Sequence, residues 1–89
     1  MKRNFTFDFF SEIQVVDIIN VIQLLCIKTI KKIEIIDIYQ KNIKKKSITF
    51  KIILQSNNLS LSNNITNQIS YNIIKIISIK LKGQIKKYK

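Results

Sequence analysis

Ile33-Glu34-Ile35-Ile36-Asp37-Ile38-Tyr39, followed after residues 40–44 by Lys45-Lys46-Ser47-Ile48-Thr49-Phe50, has the form of two alternating segments joined by a basic loop. Ile36 and Ile38 alternate with Asp37 and Tyr39, and Ile48 and Phe50 alternate with Ser47, Thr49 and Lys51. A two-residue period gives each segment one apolar and one polar face, the signature of a half-buried strand. The pattern predicts two strands, about Lys32 to Tyr39 and Ser47 to Gln55, joined by a loop from Gln40 to Lys46 that carries Lys41, Lys44, Lys45 and Lys46. If the strands pair symmetrically about that loop, Tyr39 lies opposite Ser47 and Asp37 opposite Thr49. An aromatic ring, a carboxylate and two hydroxyls then share one face beside a lysine cluster.

Upstream, Phe5, Phe7 and Phe9 alternate with Thr6 and Asp8, which predicts a first strand with an aromatic face. From Ser11 the period changes. Val15, Ile18, Ile19, Ile22, Leu25 and Cys26 fall at three- and four-residue spacing, an amphipathic helix of about four turns with Ser11 as its expected N-cap. Downstream of the hairpin, Ser56-Asn57-Asn58 has turn composition, and Ser62 or Asn63 can cap a second helix. Its expected buried stripe is Ile65, Ile69, Ile73, Ile76 and Ile77, with Thr66, Asn67, Ser70 and Lys75 facing out. Gln84 to Tyr88 is long enough only for a final edge strand.

The composition narrows the function. At 89 residues the chain holds one domain, residues 1–89, with one core and no room for an active site plus a separate substrate module. Sixteen Lys and Arg against five Asp and Glu give a formal charge of +11, which favours a polyanionic partner, nucleic acid before an anionic membrane surface. Ile makes up about a quarter of the residues and Pro is absent, a skew of the kind that drift in an AT-rich coding sequence produces. Positive charge carried on Lys lacks the bidentate fork of Arg, so attraction here is diffuse rather than geometric. The absence of His removes the commonest general base and the commonest zinc ligand together. Cys26 is alone and reads as a small apolar core residue in a reducing compartment. Gln14, Asp17, Asn20, Gln23 and Lys28 interrupt the longest apolar stretch too often for a membrane span. Met1-Lys2-Arg3-Asn4 leads straight into the first strand and not into a signal peptide, so a soluble intracellular protein is expected.

Strand, helix, strand, strand, helix, strand is the order of the ferredoxin-like α+β sandwich: a four-stranded antiparallel sheet with both helices on one face. In that arrangement Phe5, Phe7, Phe9, Ile36, Ile38, Ile48, Phe50, Ile52 and Leu54 face the helices. Thr6, Asp8, Asp37, Tyr39, Ser47, Thr49 and Lys51 line the uncovered face. Ile33, Ile35 and Ile53 violate this parity, which calls for a bulge that shifts the register or for a covering partner.

Three runs make a resemblance: Ile33 to Tyr39, Lys45-Lys46-Ser47-Ile48-Thr49-Phe50-Lys51-Ile52, and Leu59-Ser60-Leu61-Ser62-Asn63-Asn64. Together they resemble the ferredoxin-fold anticodon-binding domain at the C-terminus of the bacterial phenylalanyl-tRNA synthetase β subunit, also found at the end of the single-chain organellar enzyme. Arg3-Asn4-Phe5-Thr6-Phe7 is similar to that family's opening and Gly83-Gln84-Ile85-Lys86 to its close, so the likeness spans about Lys2 to Lys86. The chain departs from the family pattern in lacking a glycine before Lys45, in Asn63-Asn64 where acidic residues begin the second helix, and in Lys86 for the terminal arginine.

The resemblance implies an accessory tRNA-binding domain with no chemistry of its own. Its partners would be the anticodon stem-loop of tRNA-Phe and the remaining synthetase domains or subunits. It needs no cofactor in this chain, since ATP and magnesium belong to the rest of the ligase. The setting is the cytoplasm, or an organelle matrix or plastid stroma for an organellar enzyme. It further implies that Tyr39 stacks on the first anticodon base while Asp37 and Ser47 bond its edges, with Thr49 beside them and Lys44, Lys45, Lys46 and Lys51 meeting phosphates. Three other readings compete. A self-sufficient enzyme is opposed by the missing His and phosphate loop. A generic single-strand RNA binder should carry a Lys/Arg-Gly-Phe/Tyr-type run with two stacking aromatics in its third strand, and Ser47 to Ile52 has neither. A protein-interaction module of the same fold would use Ile33, Ile35 and Ile53 as contact surface.

Overall fold

Phenylalanine at three alternate positions commits the first strand to a buried aromatic face. The computed structural model describes residues 2–25, 28–55 and 63–88. Its elements are β1 (Lys2–Phe10), α1 (Val15–Gln23), β2 (Ile30–Gln40), β3 (Lys45–Leu54), α2 (Asn63–Lys80) and β4 (Gln84–Tyr88). The sheet order is β2-β3-β1-β4 and every pairing is antiparallel. This is the ferredoxin-like sandwich, with β1 and β3 central and β2 and β4 as edges. Cys26, the Ser56-Asn57-Asn58 turn and the Ser62 cap lie outside the described residues.

Phe5, Phe7 and Phe9 from β1 meet Ile48, Phe50, Ile52 and Leu54 from β3, all buried, beneath Ile18, Val21 and Ile22 of α1 and Ile73 and Ile77 of α2. The rings stack: Phe5 on Phe50 at 5.3 Å, Phe7 on Phe50 at 5.8 Å and Phe7 on Phe9 at 5.7 Å between centroids. Each fully buried large apolar side chain contributes roughly 1.5–3 kcal/mol, so this aromatic row fixes which sheet face the helices cover.

The parity conflict in β2 is resolved by a bulge between Ile35 and Asp37. Ile33 pairs with Ile52 and Ile35 with Phe50, and both pack against the core. Ile36 has no residue opposite it in the register and is 49% exposed, contrary to its expected place under the helices. Ile38 is in register with buried Ile48 yet is 52% exposed itself, because this end of β2 runs out along the edge of the sheet. One inserted residue therefore lets the apolar start of β2 face the core and its polar end face outward. Ile53, paired with Lys2 and Lys32, stays on the open face.

Two helix expectations are corrected. Helix α1 spans nine residues and its N-cap is Gln14, not Ser11. The Gln14 N–H donates to Asp17 Oδ2 at 2.8 Å, the reciprocal half of a capping box. Ser11 is engaged elsewhere, as described below. In α2, Thr66 and Ser70 are buried while Ile65 is exposed, and Ile69 and Ile76 are only half-buried. Isoleucine is spread so widely around this helix that hydropathy does not select its inner face. A small hydroxyl residue can return its hydrogen bond to the carbonyl one turn back, so it can occupy a tight buried position.

The exit from α2 is equally specific. Lys82 takes the left-handed conformation with φ of 54°, and the Gly83 N–H donates to the Ile77 carbonyl at 3.4 Å. Gly83 serves close approach and not backbone freedom: a Cβ there would lie 2.7 Å from Phe9 Cε1 and 3.0 Å from Ile77 Cγ2.

Candidate nucleic-acid interface

The bulge at Ile36 builds the outer face. Beyond it Asp37 pairs with Thr49 and Tyr39 with Ser47, as symmetric pairing predicts. The register continues across the sheet, because Thr49 pairs with Thr6 and Ser47 with Asp8, and Thr6 pairs with Lys87 and Asp8 with Gln84. Two polar rows result: Asp37, Thr49, Thr6, Lys87 and Tyr39, Ser47, Asp8, Gln84. Cross-strand neighbours on one face lie about 5 Å apart, and alternate residues on one strand about 7 Å apart. The Thr6 and Thr49 hydroxyls bond each other at 2.9 Å, which stiffens the centre of the first row. Tyr39 is 61% exposed and Asp37 is exposed at the outer end of its row.

The hairpin tip is shorter than expected, residues 41–44, since Lys45 and Lys46 already belong to β3. Asn42 does the turning work of the missing glycine. Its Oδ1 accepts from the Lys44 and Lys45 N–H groups at 2.8 and 2.9 Å, while the Lys41 and Asn42 N–H groups both donate to the Lys45 carbonyl. Ser11 anchors the tip from the other side. Its N–H donates to the Lys44 carbonyl at 2.9 Å and its hydroxyl to the Ile43 carbonyl at 2.8 Å, and Gln40 Nε2 donates to its Oγ at 2.9 Å. These three hydrogen bonds occupy the residue that the sequence offered as a helix cap.

The lysines divide. Lys45 is on the open face with its Nζ 4.4 Å from the centre of the Phe10 ring, and Lys51 lies opposite Glu34 and Asn4 on the same face. Lys44 lies in the tip. Lys46 pairs with Phe9 and Gln40, and by alternation with Ser47 it points to the helix side, away from Asp37 and Tyr39. A cleft of about 460 Å³, lined by Ile19, Ile22, Lys28, Ile30, Lys31 and Ile33, also opens on the helix side.

Sequence reasoning placed Asp8 on the open face but missed its surroundings. It is 6% exposed, covered by two lysine side chains instead of packed core. Lys41 Nζ donates to its Oδ2 at 2.8 Å and Lys86 Nζ lies 3.5 Å from the same oxygen. Oδ1 is buried and has no hydrogen-bond partner among the described residues. Loss of water raises the pKa of this carboxyl. The Lys41 hydrogen bond and charge, the Ser47 hydroxyl and the Lys86 charge outweigh that and hold it below its ordinary value. The signal available in the sequence was an acid on β1 facing a hairpin rich in lysine. The β1–β3 register, which a crossover connection leaves free, was needed to use it.

Among the described residues no helix is long and apolar enough to cross a membrane. A comparison with curated proteins finds no match. Residues 1–86 match the family described as the ferredoxin-fold anticodon binding domain, which agrees with the strand order and with a basic, uncovered sheet face. The match takes in all but the last three residues, and the chain is therefore a member of the ferredoxin-fold anticodon-binding domain family, whose ligand is tRNA.

Proposed function

We propose that this domain holds the anticodon stem-loop of tRNA-Phe as a non-catalytic part of a phenylalanine-tRNA ligase, in the cytoplasm or in an organelle matrix or stroma. The register that sets Asp37 against Thr49 and Tyr39 against Ser47 on an uncovered face is the observation that carries this reading. The exposed Tyr39 ring offers one stacking platform for an unpaired base, worth roughly 1–3 kcal/mol. About 7 Å along the strand, the Asp37 carboxylate can accept from the N1 and N2 donors of guanine, an edge that adenine does not possess. Ser47, next to Tyr39, adds one hydroxyl that can donate or accept. Lys44, Lys45 and Lys51 supply sequence-independent attraction to phosphates. Aminoacylation, with its ATP and magnesium, belongs to the remaining domains or subunits of the ligase.

The competing protein-contact reading rested on Ile33, Ile35 and Ile53; the bulge returns Ile33 and Ile35 to the core and leaves Ile53 alone of the three on the open face. Binding of two anticodon stem-loops that differ only in guanine or adenine at the first anticodon position tests the proposal. The guanine form is expected to bind at least about tenfold tighter, a difference of about 1.4 kcal/mol, and equal affinities overturn the base-reading role.

A further inference from the structure

Deepening the RNA-binding reading, we propose that Asp8 is a specificity-setting residue: its carboxylate takes the place of an RNA phosphate between Lys41 and Lys86, and so restrains sequence-independent binding to the open face. The geometry is that of a small anion site already filled from within. Two ammonium groups from different elements, the hairpin tip and β4, converge on one oxygen, at 2.8 and 3.5 Å, and the Ser47 hydroxyl and Gln84 flank it in the same cross-strand row. Lys41 reaches Asp8 across 33 residues of sequence, so this contact also draws the tip toward the sheet.

The consequence is electrostatic. Phosphate attraction raises affinity for any strand equally, and it dilutes discrimination between bases. A lysine whose ammonium is held by an internal carboxylate contributes little to that attraction, whereas Tyr39 and Asp37 keep their exposed positions. Asp8 therefore shifts the balance of the face from charge toward base edges.

The test is the salt dependence of binding to a labelled oligouridylate, a strand that offers phosphates but no guanine. Asp8→Asn keeps the shape of the side chain and removes the charge. It is expected to tighten oligouridylate binding several-fold at low salt and to steepen the slope of log K against log salt by about 0.7 for each lysine released. Lys41→Met in the wild-type background is expected to leave the slope unchanged, and the same change in the Asp8→Asn background to reduce it by about 0.7. A slope unaltered or shallower in Asp8→Asn overturns the proposal. So does a wild-type Lys41→Met variant that loses a full phosphate's worth of slope, a measurement that stands even if Asp8→Asn does not fold. Absence of any oligouridylate binding by every variant also overturns it. Failure of the anticodon reading looks different: guanine and adenine stem-loops bind equally while the slopes behave as stated.

Discussion

Asp8 and Asp37 lie on the same face of one sheet, in adjacent cross-strand rows, and their surroundings are opposite. Asp37 is on the edge strand β2, has a neighbour on one side only, and is exposed. Asp8 is on the central strand β1, flanked by β3 and β4, and two lysines, Lys41 of the hairpin tip and Lys86 of β4, close over it. Residue type is the same and face is the same, so position in the strand order decides the role. The edge carboxylate stays open to solvent. A central carboxylate is reached by side chains from both flanks and is neutralised before a partner arrives.

Binding should suffer most from loss of the exposed side chains of β2. Tyr39→Ala and Asp37→Ala should each weaken binding of the guanine stem-loop by about 1–3 kcal/mol, measured by fluorescence anisotropy. The two should differ in kind. Tyr39→Ala should weaken guanine and adenine stem-loops alike, while Asp37→Ala should bring them together. If Asp37→Ala weakens both equally, the carboxylate acts through general structure and not through the base edge.

The sheltered half depends on β4 being seated, and Gly83 immediately precedes β4. A methyl there collides with the buried ring of Phe9, so Gly83→Ala should cost about 1–3 kcal/mol of stability, the usual penalty of overpacking. In a domain of this size each kcal/mol lowers Tm by about 4–8 °C, which calorimetry resolves. The same variant should disturb Lys86 over Asp8 while leaving Asp37 in place, because Asp37 lies on the opposite edge strand. A Tm unchanged within about 1 °C would show that Phe9 yields without cost.

Lys82→Gly is the matching control, with a smaller effect of opposite sign. Lys82 holds a φ of 54°, a conformation that costs a residue bearing a Cβ about 1–2 kcal/mol, part of which glycine gives back through its freer unfolded chain. A gain of about 0.5–1 kcal/mol in urea unfolding is expected, with stem-loop discrimination unchanged. A loss would mean that the lysine side chain makes up for its backbone.

How much of this was legible in the sequence follows the range of the interactions. The order of elements along the chain, the face of β1 and β3 and the pairing of Tyr39 with Ser47 rest on local alternation and on symmetry about one hairpin, and the sequence carries both. The bulge had a local trace in the adjacent Ile35 and Ile36, which break the two-residue period; its position needed β3 as a ruler. The inner face of α2 had no such trace, since isoleucine occupies most sides and Thr66 and Ser70 are buried for their size. Asp8 is the extreme case. Its partners Lys41, Ser47 and Lys86 come from three elements brought together by β1 crossing the centre of the sheet, and no spacing in the chain announces that meeting.

The subtlest property of Asp8 is its response to acid. Asp8 is held below its ordinary pKa in the folded protein, so its ionised form is favoured by folding. Its contribution is then complete at any pH above the ordinary carboxylate value, and it is lost as the pH falls through the lower, folded-state value. Asp8→Asn lacks that contribution at every pH. Urea midpoints of wild type and Asp8→Asn, followed from about pH 7 to about pH 2, should therefore converge on the acid side. The remaining four acidic residues are common to both proteins and cancel in the difference. The effect should be small and should shrink further in salt, because the carboxylate is sheltered by two flexible lysine side chains with water just beyond them. Parallel midpoint curves would show that Lys41 and Lys86 hold Asp8 no better than the unfolded chain does. Asp8 and Asp37 would then differ in exposure alone.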